Sequence, residues 1–392
     1  MTIDFDIAAR EQLTFDYDVK ISEPPSFVEA QPNDINFFDW DGKIVESWSL
    51  DELQEKTEFP DIEKIRTHKG IVFDGWNYDI RFLKYSPHPM DVGAFYRTDD
   101  GKTRIYINVR KERLTYRLCL NTDGNVNVDW GDKSQYDVLV GTDLKKSVFI
   151  GHTYSSEGNY VISLESEANI KIIGESFIGS MLLRYDGSLY SYNFAALNSI
   201  KKIEFGIHKS IDINSYAFED CNSLEYVAVS SKTYFSGLRY FSKCYSLKYI
   251  TFNTRTSNIS EEAFYECSSL DNISFGNVSA ISKNAFYNCY SLYNIKLPIY
   301  MSVFEESCFS NCCSVTYLFI PFILSDISNS VFQRMYGVKI FDFSTCMQVP
   351  SLSNSNAFAG LSNDYVIKVP ANLLDEWKAA PNWSNIARHI QS

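Results

Sequence analysis

The chain has 392 residues, a formal net charge of −13, 45% hydrophobic residues and a 15% aromatic share that includes 26 Tyr and 28 Phe. That charge repels a phosphate backbone, and no Lys/Arg-rich run supplies a local basic track, so no nucleic acid is expected as a partner. No apolar run approaches the roughly 20 residues that cross a bilayer, so no membrane insertion is expected either.

The opening stretch places Asp4 and Asp6 where a signal peptide needs a basic segment followed by an apolar one, so the chain as written shows no signal peptide. Residues 1–34 are acidic and end in Glu23-Pro24-Pro25 and Gln31-Pro32-Asn33-Asp34. Proline denies ladder hydrogen bonds, so this segment reads as an acidic arm or linker that orders against a partner. Phe37 to Val45 reads as a hairpin turning at Asp41-Gly42, because glycine supplies the positive φ of a tight turn. Ser49 and Glu52 have capping-box spacing and start a short helix that Pro60 stops. Gly70-Ile71-Val72-Phe73-Asp74-Gly75-Trp76 resembles the ending of the internalin-type B-repeat, a small β-rich module of bacterial surface proteins. A turn at Asp99-Asp100-Gly101 leads into an alternating strand, Thr103 to Val109. Residues 35–111 are thus expected to form one small α+β domain.

From Leu114 the pattern is β throughout. Leu114, Tyr116, Leu118 and Leu120 alternate, a turn follows at Asn121 to Gly124, and Val126, Val128 and Trp130 alternate again. Trp130-Gly131-Asp132, His152-Thr153-Tyr154 and Gly158-Asn159-Tyr160-Val161 together resemble a PKD domain, with Lys133 in place of that family's second glycine. The resemblance implies an immunoglobulin-like β-sandwich over residues 112–172, acting as a spacer or adhesion module. Asp129, Asp132 and His152 invite a metal or acid–base reading. Short acids favour the turn after a strand, and a His beside a Tyr packs on the neighbouring strand, so no chemistry is assigned to them.

Residues 173–370 are organised by a repeat of Ala-Phe-x-x-Cys-x-Ser-Leu-x-x-Ile-x-Phe type, clearest at Ala263, Phe264, Cys267, Ser269, Leu270, Ile273 and Phe275. Its anchors are Phe194, Phe218, Phe241, Phe264, Phe286, Phe309, Phe332 and Phe358, spaced by 22 to 26 residues. That is a solenoid period. Apolar residues recur three and six positions after each Phe, which fits a tight helical or 3₁₀ turn. Others recur nine and eleven positions after it, which fits one short strand with one buried face. About eight coils are expected, stacked because one coil alone cannot bury its face. The units resemble the BspA-type leucine-rich repeat, whose copies share this core.

Eight of the nine cysteines lie between Cys221 and Cys346, five of them at one inward offset. They read as small, buried, reduced thiols packing the coil rather than a disulfide framework. Cys308, Cys312 and Cys313 have no nearby His to complete a metal site. Residues 371–392 read as a helical cap: Leu373, Leu374 and Trp377 share helical spacing, as do Trp383, Ile386 and Ile390. Similar endings follow BspA-type repeats.

The fold class is therefore mainly β with short helical turns. No phosphate-binding glycine loop, nucleophile elbow or His-Glu-x-x-His helix appears, so no catalytic residue, metal or cofactor is assigned. What remains is a surface. Eight and ten positions after each Phe, residues should face outward on a concave sheet, giving the candidate binding residues Tyr226, Tyr249, Asn272, Asn294, Tyr317 and Phe319. Rings give contact area and amides give direction, which suits a glycan or protein. The module order resembles gut phage and prophage tail or surface proteins. It implies a non-enzymatic recognition protein of a virion, binding a bacterial surface glycan or protein and joined to other virion or surface proteins through its N-terminal region. A BspA-type adhesin on a bacterial cell surface and a glycan depolymerase are the alternatives.

Overall fold

The computed structural model describes residues 34–85, 89–111, 114–172, 200–206, 210–252, 256–293, 295–321 and 323–392. The acidic arm before Asp34, the first expected anchor Phe194 and the candidate residue Asn294 lie outside the described residues.

The first unit is a four-stranded mixed sheet. β1 (Ile35–Phe38) pairs antiparallel with β2 (Ile44–Trp48) across the expected turn, where Gly42 has φ 79°. β1 also pairs in parallel with β4 (Met90–Thr98), and β4 pairs antiparallel with β3 (Ile71–Trp76), giving the order β2-β1-β4-β3. Helix α1 (Leu50–Glu55) starts at the expected capping box: Glu52 N–H donates to Ser49 Oγ at 3.1 Å and Ser49 N–H to Glu52 Oε2 at 2.8 Å. Strand alternation gives this sheet two faces. Phe37 and Val92 bury with Trp48, Leu53 and Leu83 on one side. Phe38, Asp91 and Gly93 point to the other, where the solenoid lies.

The expected domain boundary at residue 111 is corrected by the next strand. β5 (Thr103–Val109) follows the Gly101 turn but leaves the first sheet and pairs antiparallel with β10 (Gly158–Glu165) over seven residues. Ile105, Ile107 and Val109 fill the core beyond, which is why the strand belongs there. Two sheets then face each other: β5 and β10 with β7 (Asn125–Asp129) and β8 (Asp137–Val140), and β6 (Thr115–Thr122) with β9 (Asp143–Thr153) and β11 (Asn169–Ile172). Trp130 is fully buried between them, stacks on His152 (5.1 Å, 14°), and its carbonyl accepts from Tyr154 Oη at 2.9 Å. Asp132 Oδ2 lies 2.7 Å from His152 Nε2. Burial raises the Asp132 pKa, but hydrogen bonds from Ser134 and His152 outweigh it and carry the pKa down to about 2. The acids and the histidine of the motif hold a tryptophan corner.

The two sheets do not stop at the sandwich. β12 (Ile200–Glu204) pairs antiparallel with β5, and β14 (Tyr226–Ala228) continues that sheet in parallel; β13 (Ser210–Ile213) and β15 (Thr233–Phe235) continue the other from β11. One apolar core therefore runs from Phe95 through the repeats to Ile390. The front sheet goes on through β16 (Tyr249–Thr251), β18 (Asn272–Ser274), β20 (Ile295–Lys296), β22 (Tyr317–Phe319), β24 (Ile340–Asp342), β26 (Val366–Lys368) and β27 (Ile390–Gln391). The back sheet runs through β17 (Asn258–Ile259), β19 (Ala280–Ile281), β21 (Val303–Phe304), β23 (Asp326–Ile327) and β25 (Ser351–Leu352), all parallel. Each coil thus carries two strands, where one was expected.

The anchor Phe358 sits in the expected 3₁₀ turn (Ser355–Phe358), but the earlier anchor segments differ from it. In the six coils from Phe218 to Phe332, the residues two before and two after each Phe have positive φ, as at Glu262 (54°) and Glu266 (61°). Such a residue cannot continue a helix. Local turns alternate with bonds between coils: Cys267 N–H donates to Phe264 O (3.0 Å), while Phe264 N–H donates to Ala285 O of the next coil (2.8 Å). The anchoring rings stack, Phe264 on Phe286 at 5.3 Å and 4°. Four of the five ladder thiols meet the carbonyl of the preceding described anchor: Cys244 Sγ donates to Phe218 O, Cys267 to Phe241, Cys289 to Phe264 and Cys312 to Phe286, at 3.1 to 3.3 Å. A buried carbonyl has two lone pairs to satisfy, and cysteine is the small apolar residue that also donates.

The last coil is covered as expected. Helix α2 (Leu374–Ala379) and a 3₁₀ segment, Trp383–His389, bury Trp377 and Trp383 on Phe343, and Trp383 Nε1 donates to Pro350 O at 2.8 Å. Ile390 belongs to β27 rather than to a helix.

Candidate recognition surface

The front sheet presents the candidate residues in two columns, and most of their length is occupied by the chain itself. β4 crosses strands β14, β16 and β18. Phe38 stacks on Tyr249 (5.5 Å, 22°), and Trp40 meets Tyr226 edge-on at 5.5 Å. Tyr96 and Thr98 donate backbone N–H groups to Val229 O (2.9 Å) and Phe205 O (3.0 Å). Asn77 Nδ2 donates to Phe252 O and Ser274 Oγ, and Ser274 Oγ donates to Asp91 O. Gly93 lies so close that a Cβ there would sit 2.4 Å from Thr251 Oγ1.

An ion pair closes this contact. Lys296 Nζ lies 3.1 Å from Asp91 Oδ1 and donates to Asp34 O, with both charged side chains almost wholly buried. Burial pushes the Asp91 pKa up, while Lys296, Asn36 and Asn272 pull against it. Polar groups matched this closely across a buried face are costly to separate.

The expectation that Tyr249 and Asn272 face solvent is therefore corrected: each is 1% exposed, beneath the N-terminal sheet. Tyr226 is half-buried, with Lys248 Nζ donating to its hydroxyl at 3.1 Å. Thr251, Ser274 and Lys296, in the second column, are buried as well.

Tyr317 and Phe319 remain partly open, on the same face of β22. In register with them stand Ile340, 36% exposed, and Asp342 on β24, followed by Val366 and the exposed Lys368 on β26. Tyr317 Oη donates to Asp342 Oδ2 at 2.7 Å, Ser344 N–H donates to Oδ1 at 2.9 Å, and Lys368 Nζ lies 3.7 Å away. Burial would raise the Asp342 pKa, but these donors hold it below the usual carboxylate range. Burial and the acceptor at Asp342 push the Tyr317 phenol up. The open end of the front sheet is thus two rings beside a fixed carboxylate and a lysine. Ile340, Asp342 and Lys368 were missed by sequence reasoning, although carrying the same offsets into the next two coils reaches all three.

Stacked coils with a parallel strand on each side of a shared Phe–Cys–Leu core define a repeat solenoid. Residues 187–312 and 275–375 match the family described as BspA type Leucine rich repeat region, in six copies, and the repeats of this chain are of that type. The chain matches no curated protein. Among solved structures, it is similar to a leucine-rich repeat protein from Bacteroides ovatus (20% identity, TM-score 0.34, covering 44% of this chain and 51% of that one). It is also similar to a leucine-rich repeat protein of T. pallidum (19%, TM-score 0.28, 43% and 78%). A third likeness is to a leucine-rich cell surface protein from Faecalibacterium prausnitzii (13%, TM-score 0.18, 56% and 92%). The chain spans about half the length of the Bacteroides protein. No helix among the described residues is long and apolar enough to cross a membrane.

Proposed function

We propose that this chain is a non-enzymatic recognition protein that holds a bacterial surface glycan or protein at the open end of its front sheet. The observation that carries this reading is the pair of rings, Tyr317 and Phe319, set on a parallel strand beside Asp342, with the Tyr317 hydroxyl tied to that carboxylate. Rings held in place offer contact area at little entropic cost, and a fixed acceptor gives direction. The BspA-type repeat region supports a surface role. The finer reading is a phage tail or other virion surface component that meets a bacterium, with the same module on a bacterial cell surface as its counterpart. For glycan hydrolysis, the alternative, Asp342 is unsuited to the general-acid role, because Tyr317, Ser344 and Lys368 hold it below the usual carboxylate range.

The test is a Tyr317→Ser, Phe319→Ser double variant, measured for binding to a panel of intact gut bacteria and to their purified surface glycans. Binding by the parent and its loss in a variant of unchanged melting temperature is the expected result. Equal binding by both proteins would refute the assignment.

A further inference from the structure

The turn side of the solenoid carries a second aromatic surface, outside the front sheet. Four positions after their anchors, Tyr245, Tyr290 and Tyr336 recur in alternate coils and are 39%, 47% and 55% exposed. The coils between them have the small Ser268 and Cys313 at that position. Beside this row, Tyr265 and Tyr287 stack flat on each other at 5.3 Å and 6°. Glu266 sits among the rings: Tyr245 Oη donates to its Oε2 at 3.3 Å, and the Tyr265 hydroxyl also bonds to it. The backbone under the row is pinned, since Ser269 N–H donates to Tyr245 O (3.2 Å) and Ser314 Oγ to Tyr290 O (2.7 Å).

The period of the row is informative. Neighbouring strands lie about 4.8 Å apart, so a ring in every second coil recurs at about 10 Å, and the anchoring rings beneath them step by 5.7 and 5.3 Å. A folded protein partner gives no reason for such a period, whereas a polymer with a regular repeat does. An extended β-1,4-linked chain of hexoses turns over every two sugars and advances by close to this length, so every second sugar would present the same face to a ring. The charges along the flank, Lys243, Glu266 and Arg334, alternate in sign. Together with a net charge of −13, that leaves no field to attract a polyanion. Phenol rings with hydroxyl and carboxylate acceptors match a neutral sugar, which offers an apolar ring face and hydroxyl donors.

We propose that this row of tyrosines binds an extended, uncharged β-1,4-linked polysaccharide laid along the solenoid axis. The site is separate from the front-sheet surface and goes beyond it.

The test is calorimetric titration of the whole chain with cellohexaose and chitohexaose, with maltohexaose, a coiled α-1,4 chain, as the control. At least one extended hexamer should bind, more tightly than its trimer because a hexamer reaches all three rings and a trimer only two. A Tyr245→Ala, Tyr290→Ala, Tyr336→Ala variant should lose at least tenfold in affinity, and the corresponding triple Trp variant should keep it. All three side chains are exposed, so melting temperatures should not move. The proposal is overturned if neither extended hexamer binds, if maltohexaose binds equally well, or if the triple Ala variant keeps its affinity. It is also overturned if the triple Ala change abolishes binding to cells and that binding is removed by protease but not by excess hexamer, because the row would then serve a protein. The Tyr317→Ser, Phe319→Ser variant should bind the hexamers like the parent, so the two surfaces stand or fall separately.

Discussion

Replacing Lys296 by Met should unlock the contact between the N-terminal sheet and the solenoid, and by an amount that depends on pH. Lys296 is the cation 3.1 Å from a fully buried Asp91, and Asn36 Nδ2 donates to the same carboxylate at 3.1 Å. Removing one partner of such a pair leaves a buried charge uncompensated, at a cost of about 3–5 kcal/mol. Burial already raises the Asp91 pKa, and loss of the lysine must raise it further. A group whose pKa is raised by folding adds stability below its unfolded value and loses it as pH rises towards its folded value. The variant should therefore lose up to about 1.4 kcal/mol more for each pH unit between 4 and its new pKa. Urea unfolding at pH 5 and pH 7 measures this. A deficit of about 1–2 kcal/mol at pH 5 that grows to 3–5 kcal/mol at pH 7 is expected, and an Asp91→Asn, Lys296→Met double variant should recover most of it. A loss below 1 kcal/mol, or one that does not change with pH, would refute the reasoning.

Burial pushes the ladder thiols up, including Cys267, so native protein should leave Cys221, Cys244, Cys267, Cys289 and Cys312 unreacted, while denatured protein titrates nine thiols; mapped disulfides among them would contradict this. Asp271 is raised to about 6 by burial, so it contributes stability at pH 4 that is lost by pH 7. Allowing for its partial exposure, Asp271→Asn should remove on the order of 1–2 kcal/mol of that pH dependence, read from urea midpoints at the two pH values. Trp383→Ala should cost about 3–5 kcal/mol and let the last coil fray, seen as early proteolysis after Phe343, because the ring is fully buried against Phe343, Phe358 and Trp377.

The repeat was legible because its apolar residues are locked to a period. From Phe218 to Phe332 each Phe buries with Cys or Met three positions on and with Leu or Val six positions on, and a stacked ladder tolerates little else there. The back strands were not legible, since most are two residues long and offer one inward side chain each, such as Ile259, Ile281 and Phe304, too few to show alternation. The covered front sheet was harder still. Asn36, Asp91, Asn77 and Lys296 look like ordinary surface residues until the fold brings groups some 200 positions apart into one buried contact. One signal was present: Gly93 stands inside the run from Met90 to Thr98, and a glycine within a strand marks close approach of another backbone. Tyr317 stays partly open because its strand lies beyond β4, whereas Tyr249, at the same repeat position, is covered: one repeat position meets a different neighbour in different coils.

The N-terminal sheet is packed on the solenoid as part of the fold, and it leaves Tyr317 and Phe319 partly open. Amide hydrogen exchange of Tyr96 and Thr98, whose N–H groups donate to Val229 O and Phe205 O of the solenoid, tests it most directly. These two amides should exchange only by global unfolding, with the protection of core amides such as Ile250 and Ile273. Exchange of Tyr96 and Thr98 many times faster than the core, with the solenoid still protected, would contradict it and show a cover that opens onto Tyr249 and Asn272.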